Sequence, residues 1–295
     1  MKPISQDSTT AIPRPPLEET KEPDRSFVVA LVAEAFAIVR GFENWMPVIW
    51  RLLWGRLRRR PPALCLRTRS GPILTTLAGD RSWRTAVEVF GRSSYRLATM
   101  ELPDAPTVLD IGANLGAFTL AVQAARPKAL ITAYEPSPAA FRLLQLNVAA
   151  NHSSVTVTIH PVAVAGAGSA PAVVLVERPG DLCTSSILTD LLEQGSAADR
   201  IIVPCRSLAE VLSEFRHGVD LLKIDTEGAE YAMLCTTSPN RLRTVARIVC
   251  EYHPVPGHDF QELAMHLDTA GFMCLRHERA SIAGQGLGWW VRRTG

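Results

Sequence analysis

A glycine-rich turn between two acidic residues is the first feature of the chain that could bind a ligand. Residues 108–120 (VLDIGANLGAFTL) have the pattern of a strand, a turn and a helix, with Asp110 at the end of the strand. Gly112 and Gly116 let the backbone approach a ligand, and the start of the helix offers unpaired N–H groups. A dinucleotide fingerprint would read GxGxxG, so a phosphate ligand is disfavoured. Asp110 can instead help to hold a zwitterionic or cationic ligand, with Asn114 serving its polar groups.

Glu135 supplies the second carboxylate, at the end of the next predicted strand. A carboxylate in this place can accept hydrogen bonds from both hydroxyls of a ribose. Pro136 and Ser137 follow it, and Ser137 is expected to cap the next helix. Taken in this chain order, the acidic strand end, the glycine turn and Glu135 predict S-adenosylmethionine as the cofactor.

Further polar side chains are predicted at strand ends in the second half of the chain. Asp225 ends one strand, and Glu251 and His253 lie at the end of the next. Ligands bind outside the carboxyl ends of the strands of an open parallel sheet, so these residues are expected around the same crevice. His253 is the best candidate for a general base because imidazole titrates near neutral pH. Lys223 shares a strand face with Asp225 and is expected to pair with a carboxylate such as Glu251, or to act as a base. These four residues are the predicted catalytic set.

The same strand ends allow a second kind of chemistry. Asp225, Glu251 and His253 could hold one divalent cation that polarises an acceptor hydroxyl. The sequence leaves this open, and no metal ligands are assigned. Glu227 and Glu230 are interpreted either as part of the site or as ordinary acidic residues at the start of a helix. The six cysteines show no CxxC pair or zinc-type spacing, which predicts reduced core residues.

The elements that must position these residues follow from the pattern after residue 107. Short β-branched runs alternate with helix-length segments, which is typical of parallel strands joined by right-handed crossovers. The prediction is an α/β fold with a Rossmann-like sheet that is mostly parallel and is closed by an antiparallel pair over residues 272–275 and 289–292. Residues 172–176 and 201–205 could pair as a hairpin in an excursion from this sheet. The other predicted strands are 107–111, 129–134, 155–159, 219–225 and 246–252, and the predicted helices are 116–125, 138–150, 208–215 and 260–270.

The N-terminal third differs in composition. Residues 1–25 contain five prolines and predict a disordered tail, residues 26–100 a helical accessory region, and residues 101–295 the cofactor-binding domain. The apolar run that begins at Phe27 is shorter than the ~20 residues of a membrane-spanning helix. A second apolar stretch with three tryptophans runs into five arginines before residue 61. These accessory helices are expected to pack on the catalytic domain or to form a lid or dimer contact. Peripheral membrane contact through residues 27–60 is the alternative.

Several segments together resemble the FkbM-type family of S-adenosylmethionine-dependent methyltransferases, a branch of the class I Rossmann-like fold. The matching segments are residues 108–120, Glu135-Pro136 with Phe141, Leu143, Leu144, Asn147 and Asn151, residues 160–163 (HPVA), residues 219–230 (VDLLKIDTEGAE) and residues 249–253 (VCEYH). The resemblance implies O-methylation of hydroxyls on sugars or natural products. The predicted cofactor-binding residues are Asp110, Gly112, Asn114, Gly116, Glu135, Pro136, Ser137 and Val162. One departure is Ala209, where the family tends to carry an aspartate after Leu208.

Other function classes have weaker support. The net charge of +2 gives no general attraction to nucleic acid, and the dense arginine cluster is remote in sequence from the predicted site. The family resemblance implies a small-molecule or glycan acceptor. A cofactor-binding protein without turnover and a membrane-associated methyltransferase or scaffold remain as alternatives. The expected location is cytoplasmic, with membrane association as the alternative, and the oligomeric state is left open.

Overall fold

The computed structural model describes residues 27–58, 62–151, 156–178, 180–187, 199–280 and 282–293. In chain order, the elements are α1 (Phe27–Gly41), α2 (Trp45–Leu57), β1 (Cys65–Arg67), β2 (Ile73–Thr75), α3 (Trp83–Ala86), the π-helical turn π1 (Val87–Gly91), β3 (Thr107–Ile111), α4 (Ala117–Ala125), β4 (Leu130–Tyr134), α5 (Pro138–Ala150), β5 (Thr156–His160), β6 (Ala163–Ala165), β7 (Ala172–Arg178), β8 (Asp181–Ser186), β9 (Asp199–Ser207), α6 (Leu208–Ser213), β10 (Val219–Ile224), α7 (Glu230–Thr236), α8 (Pro239–Leu242), β11 (Val245–Tyr252), α9 (Phe260–Thr269), β12 (Phe272–Arg279) and β13 (Gly286–Arg292). The predicted disordered tail, residues 1–25, lies outside the described residues.

A seven-stranded sheet in the order β12-β13-β11-β10-β3-β4-β5 forms the centre of the molecule. The strands from β11 to β5 run parallel, whereas β13 is antiparallel to both β11 and β12. This topology confirms the predicted Rossmann-like class with an antiparallel closing pair. That pair is longer than predicted, because pairing continues to Arg279 and Gly286 beyond a register shift near Cys274. Polar residues in β12 concealed this extension in the sequence pattern.

The excursion forms a second, four-stranded sheet in the order β6-β9-β7-β8. The predicted antiparallel pairing of β7 with β9 is present, from Ala172 opposite Pro204 to Glu177 opposite Asp199. Strand β8 follows β7 along the chain and pairs with it in the antiparallel sense. Its pairing with β7 brings Ser185 and Ser186 to the edge of the central sheet, beside the chain that follows β10.

Side-chain caps mark the start of two helices, and one of them, Ser137, is the cap that the sequence predicts. The Ser137 hydroxyl accepts the Ala140 N–H at the start of α5. Ser207 and Glu210 form a capping box at the start of α6, in which each side chain accepts the other residue's backbone N–H. The departure at Ala209 therefore leaves this helix start intact.

The N-terminal elements pack in the same core as one face of the sheet. Phe42 and Trp83 belong to a buried cluster that also contains Phe118 and Leu120 of α4 and Val108 of β3. Among the described residues, no helix has both the length and the apolar character needed to cross a bilayer. Helices α1 and α2 have 15 and 13 residues. The division into an accessory region and a cofactor-binding domain stays a prediction, but the described part of residues 26–100 shares its core with the sheet.

Candidate active site

A cavity of about 290 Å³ opens at the carboxyl ends of β3, β4, β10 and β11. One end, the turn end, is formed by Gly112, Asn114 and Glu135. The other, the carboxylate end, is formed by Asp225, Glu227 and Glu251. Of the predicted site residues, seven line this cavity: Gly112, Asn114, Glu135, Pro136, Val162, Asp225 and Glu251. Five do not: Asp110, Gly116, Ser137, Lys223 and His253.

At the turn end, the chain folds tightly around Glu135. Gly112 and Asn114 both have positive φ angles, 76° and 51°, and a Cβ on Gly112 would overlap the Asp225 carbonyl oxygen. The Glu135 carboxylate accepts the Asn114 N–H at 2.7 Å through Oε2 and the Ser137 N–H at 2.8 Å through Oε1. These two bonds fix the orientation of the carboxylate. Burial raises the pKa of Glu135 to about 7, although both backbone donors lower it.

Asp110 lies beneath the turn and does not reach the cavity, contrary to the predicted direct contact with a ligand. Its side chain is fully buried and accepts the Thr119 hydroxyl at 2.7 Å, while its other oxygen lies 3.2 Å from the Lys223 Nζ. Lys223 also donates to the Gly112 carbonyl at 2.6 Å. Asp110 therefore supports the turn through Lys223. Gly116 also has a structural role and not a ligand-binding one, because a Cβ there would come too close to the Leu144 side chain.

Lys223 pairs with different carboxylates from the one predicted. Its Nζ lies 3.2 Å from Asp110 and 3.6 Å from Asp225, and no ion pair with Glu251 is found among the described residues. Burial by itself lowers the pKa of Lys223, but Asp110 and Asp225 reverse this, and the net shift is upward. The ammonium is thus held in its charged form, which removes Lys223 as a base.

His253 is also held as a cation. Its Nδ1 lies 3.0 Å from Glu230 Oε1 and its Nε2 lies 3.5 Å from Glu227 Oε2. Burial lowers the pKa of His253, yet Glu230 and Glu227 together raise it well above the usual value. An imidazolium cannot accept a proton, so the predicted role as general base does not fit this arrangement. Glu230 is fully buried and also accepts the Thr226 and Gly228 N–H groups. Its ion pair with His253 therefore has a structural role.

Glu227 and Glu251 complete the carboxylate end. Gln285 donates to Glu251 Oε1 at 3.0 Å, and Glu227 holds a backbone φ of 56° with its carbonyl accepting the Ser186 hydroxyl. The pKa of each glutamate is raised to about 8, chiefly by burial and also by the neighbouring Asp225, while His253 opposes the rise. The sequence is consistent with Glu227 either as part of the site or as an ordinary acidic residue at a helix start. In the structure, Glu227 lies in the cavity wall.

The model of the FkbM methyltransferase domain matches residues 110–274, more than half of the chain. The chain belongs to the FkbM methyltransferase family. The methyltransferase sdnD of Sordaria araneosa is 28% identical over 188 residues, which cover 56% of this chain and 72% of that protein. The FkbM protein of Streptomyces tacrolimicus, a 31-O-demethyl-FK506 methyltransferase, is 24% identical over 219 residues, covering 67% and 84%. Among solved structures, TYW2 of M. jannaschii in complex with AdoMet is similar, with 12% identity, 78% and 87% coverage and a TM-score of 0.41.

Part of the cavity of this FkbM methyltransferase lies outside the matched domain. Arg81, Arg84 and Glu88 come from the N-terminal region, and Gln285 follows the match. Tyr95 is 5% exposed and donates its hydroxyl to Asp225 Oδ2 at 3.2 Å, with Glu251 Oε2 at 3.5 Å. Sequence reasoning missed these residues because no motif or spacing marks them. Arg84 lies in α3 and Glu88 in the π-helical turn, a rare element that often occurs at functional sites.

Proposed function

We propose that the chain transfers the methyl group of S-adenosylmethionine to a hydroxyl of a small molecule, a sugar or a natural product. The observation that carries this proposal is that one cavity joins the turn end to the carboxylate end. The first suits the adenosyl part of the donor, and the second suits an oxygen acceptor that must lose a proton. The name of the relative from Streptomyces tacrolimicus, a 31-O-demethyl-FK506 methyltransferase, supports the oxygen acceptor.

The turn end fits the donor through Glu135. Backbone N–H groups occupy one acceptor site on each carboxylate oxygen, which leaves lone pairs for the two ribose hydroxyls. The raised pKa of Glu135 shows that burial costs this carboxylate solvation, which hydroxyl donors would restore. Pro136 and Val162 supply apolar walls beside it. When bound, the donor supplies an electrophilic methyl group on a sulfonium.

At the carboxylate end, Glu251 is the residue we assign as the proton acceptor. Lys223 and His253 are held as cations, and the His253 Nε2 lies nearer to Glu227, at 3.5 Å, than to Glu251, at 3.9 Å. Glu251 is oriented by Gln285 and Tyr95, and its pKa of about 8 lies in the range that suits a general base near neutral pH. Asp225, fixed by the Tyr95 hydroxyl, is placed to orient the acceptor for in-line displacement.

A small neutral acceptor is favoured over nucleic acid by the charges of the cavity. Five carboxylates line it, from Glu88, Glu135, Asp225, Glu227 and Glu251, against two arginines, Arg81 and Arg84. With only two arginines, this lining offers few cations to neutralise phosphates, on which nucleic-acid affinity depends. A cytoplasmic location stays a prediction.

A divalent cation at Asp225, Glu251 and His253 also stays a prediction. Ligand atoms of the three side chains lie within 4.8 Å of one another. A metal would require the lone pair of the His253 Nε2 and would displace its proton, against the ion pairs with Glu227 and Glu230. Chelation followed by re-addition of Mg²⁺ tests the site. Reversible loss of activity would support it, and unchanged activity would refute it.

The proposed function is tested with methyl-labelled donor and a panel of hydroxyl, amine and thiol acceptors. Label transfer to oxygen is expected, and titration calorimetry should show donor binding that Glu135→Gln weakens and Glu251→Gln preserves. Transfer only to nitrogen or sulfur would refute the oxygen acceptor. Donor binding with no transfer to any acceptor class, including extracts of hydroxylated metabolites, would favour a binding protein without turnover.

A further inference from the structure

The exposed apolar side chains of the described residues are concentrated on α1 and α2. Eight of the seventeen large apolar side chains that are exposed lie on these two helices. Those on α1 have the spacing of one helical face, as do those on α2. They are Val29, Val32 and Phe36 on α1, and Met46, Trp50, Leu53, Trp54 and Leu57 on α2. Apolar side chains gathered at this density usually mark an interaction surface.

The opposite faces of both helices are fixed in the core. Ala37 and Ile38 of α1 and Val48 of α2 are buried in the cluster that includes α4. Gly91 of π1 lies so close to α1 that a Cβ there would overlap the Ala37 carbonyl. The exposed faces are therefore held outward by tight packing behind them.

The polar residues of this surface are mostly basic. The described residues 27–58 contain four arginines and two glutamates. One of these glutamates, Glu34, is bound to Arg56 at 2.9 Å. Trp50 and Trp54 stack with their ring centroids 6.4 Å apart, and the Arg58 guanidinium lies 4.9 Å from the Trp54 ring centroid. Tryptophan and arginine together suit the boundary between lipid headgroups and acyl chains.

We propose that α1 and α2 attach the protein to an anionic lipid surface. The apolar faces would insert at the level of the acyl boundary, and the arginines would meet the anionic headgroups. The charge also argues against a second copy of the chain as the occupant, because a symmetric contact would bring two arginine-rich faces together. The helices have 15 and 13 residues, which allows them to lie on a bilayer and not to cross it.

Vesicle flotation of the full chain tests this proposal, with vesicles of phosphatidylcholine alone and of phosphatidylcholine mixed with phosphatidylglycerol. The test variant is Trp50→Ser with Leu57→Ser, side chains that are 68% and 78% exposed. The matched control is Ile202→Ser with Met265→Ser, 78% and 59% exposed and remote in sequence from both helices. Because all four side chains are exposed, neither variant should change the melting temperature, and measuring it verifies that each variant folds.

The full chain and the control should float with the anionic vesicles, and the test variant should bind them about tenfold or more weakly because it loses two inserted side chains. High salt should also weaken binding, since it screens the arginines. Equal flotation of test and control variants would overturn the proposal, as would failure of the full chain to float. Sedimentation that shows a dimer lost only in the test variant, without flotation, would assign the surface to a second copy.

Discussion

At the turn end of the cavity, Glu135 is held by backbone N–H groups that are near it in sequence, whereas at the carboxylate end Tyr95 reaches Asp225 and Glu251 from a distant part of the chain, although Gln285 is nearer in sequence to Glu251. Asn114 and Glu135 are separated by 21 residues, but Tyr95 lies 130 residues from Asp225 and 156 from Glu251. The first end is shaped by backbone N–H groups and a glycine turn. The second is shaped by side chains that meet only after the sheet has formed. A contiguous motif therefore specifies donor binding, while long-range packing specifies the acceptor side.

The largest expected effect is that of Glu251→Gln, which should impair the carboxylate end and leave the turn end unchanged. Because this variant removes the proposed proton acceptor and preserves the shape of the side chain, kcat should fall by roughly 10²–10⁴-fold. The Kd of the donor should stay within about twofold, which is the usual reach of a distant isosteric change. Rapid-quench assays with titration calorimetry measure both. Glu227→Gln is the decisive comparison: if it lowers kcat more than Glu251→Gln does, the base has been assigned to the wrong glutamate.

Lys223→Met tests the buried lysine that pairs with Asp110 below the turn end and with Asp225 at the carboxylate end. The change leaves Asp110 buried without its counter-ion, and breaking a buried pair costs about 3–5 kcal/mol of the free energy of unfolding. Lys128→Met is the matched control, because its ion pair with Asp104 is exposed, and it should leave stability unchanged. Urea unfolding compares the two variants. A small effect of Lys223→Met would mean that Asp110 finds another partner and that the turn does not depend on this pair.

Glu135→Gln should affect the turn end alone. It replaces a charged acceptor of two ribose hydroxyls with a neutral amide, and hydrogen bonds to charged groups contribute about 1.5–3 kcal/mol. The Kd of the donor should rise roughly 10–100-fold, while kcat at saturating donor stays near that of the unchanged protein. Loss of kcat without loss of donor affinity would break the distinction between the two ends.

The sheet and its strand ends could be predicted from sequence because strands, helices and capping residues are local patterns. Asp225 and Glu251 were placed correctly at the cavity for this reason. The roles of Lys223 and His253 were not predictable, because their charge states depend on Asp110, Glu230 and Glu227 around them. Tyr95 and Glu88 could not be found at all, since their approach to the site is set by the packing of a π-helical turn against α1 and α4.

The pH dependence of methyl transfer tests the carboxylate end in a different way. The pKa of Glu251 is about 8, so activity should increase as the pH rises through this value, by up to about tenfold per pH unit well below it.

The same titration also affects the free energy of unfolding. Because folding raises this pKa, the stabilising contribution of the protonated group is present below the unfolded value and is lost as the pH rises towards about 8. Activity and melting temperature measured between pH 5 and 9 should therefore change in opposite directions. Glu251→Gln should make the stability curve less steep, with Glu227 and Glu135 accounting for the remaining slope, and a rate independent of pH in the unchanged protein would contradict the assignment.

Tyr95→Phe should have the smallest effect, and it asks whether the N-terminal region takes part in the chemistry. The hydroxyl donates to Asp225 and lies 3.5 Å from Glu251, so its loss removes about 0.5–1.5 kcal/mol of interaction and should lower kcat about 3–10-fold. The ring packs edge-on against Phe118 and is retained in the variant, so the fold should be unaffected. A purely structural role would leave the pH profile in place. As a positioning residue, Tyr95 stabilises the ionised carboxylates, and its loss should move the midpoint of the rate profile to higher pH. An unchanged midpoint would confine Tyr95 to packing and would leave the carboxylate end dependent on the matched domain and Gln285.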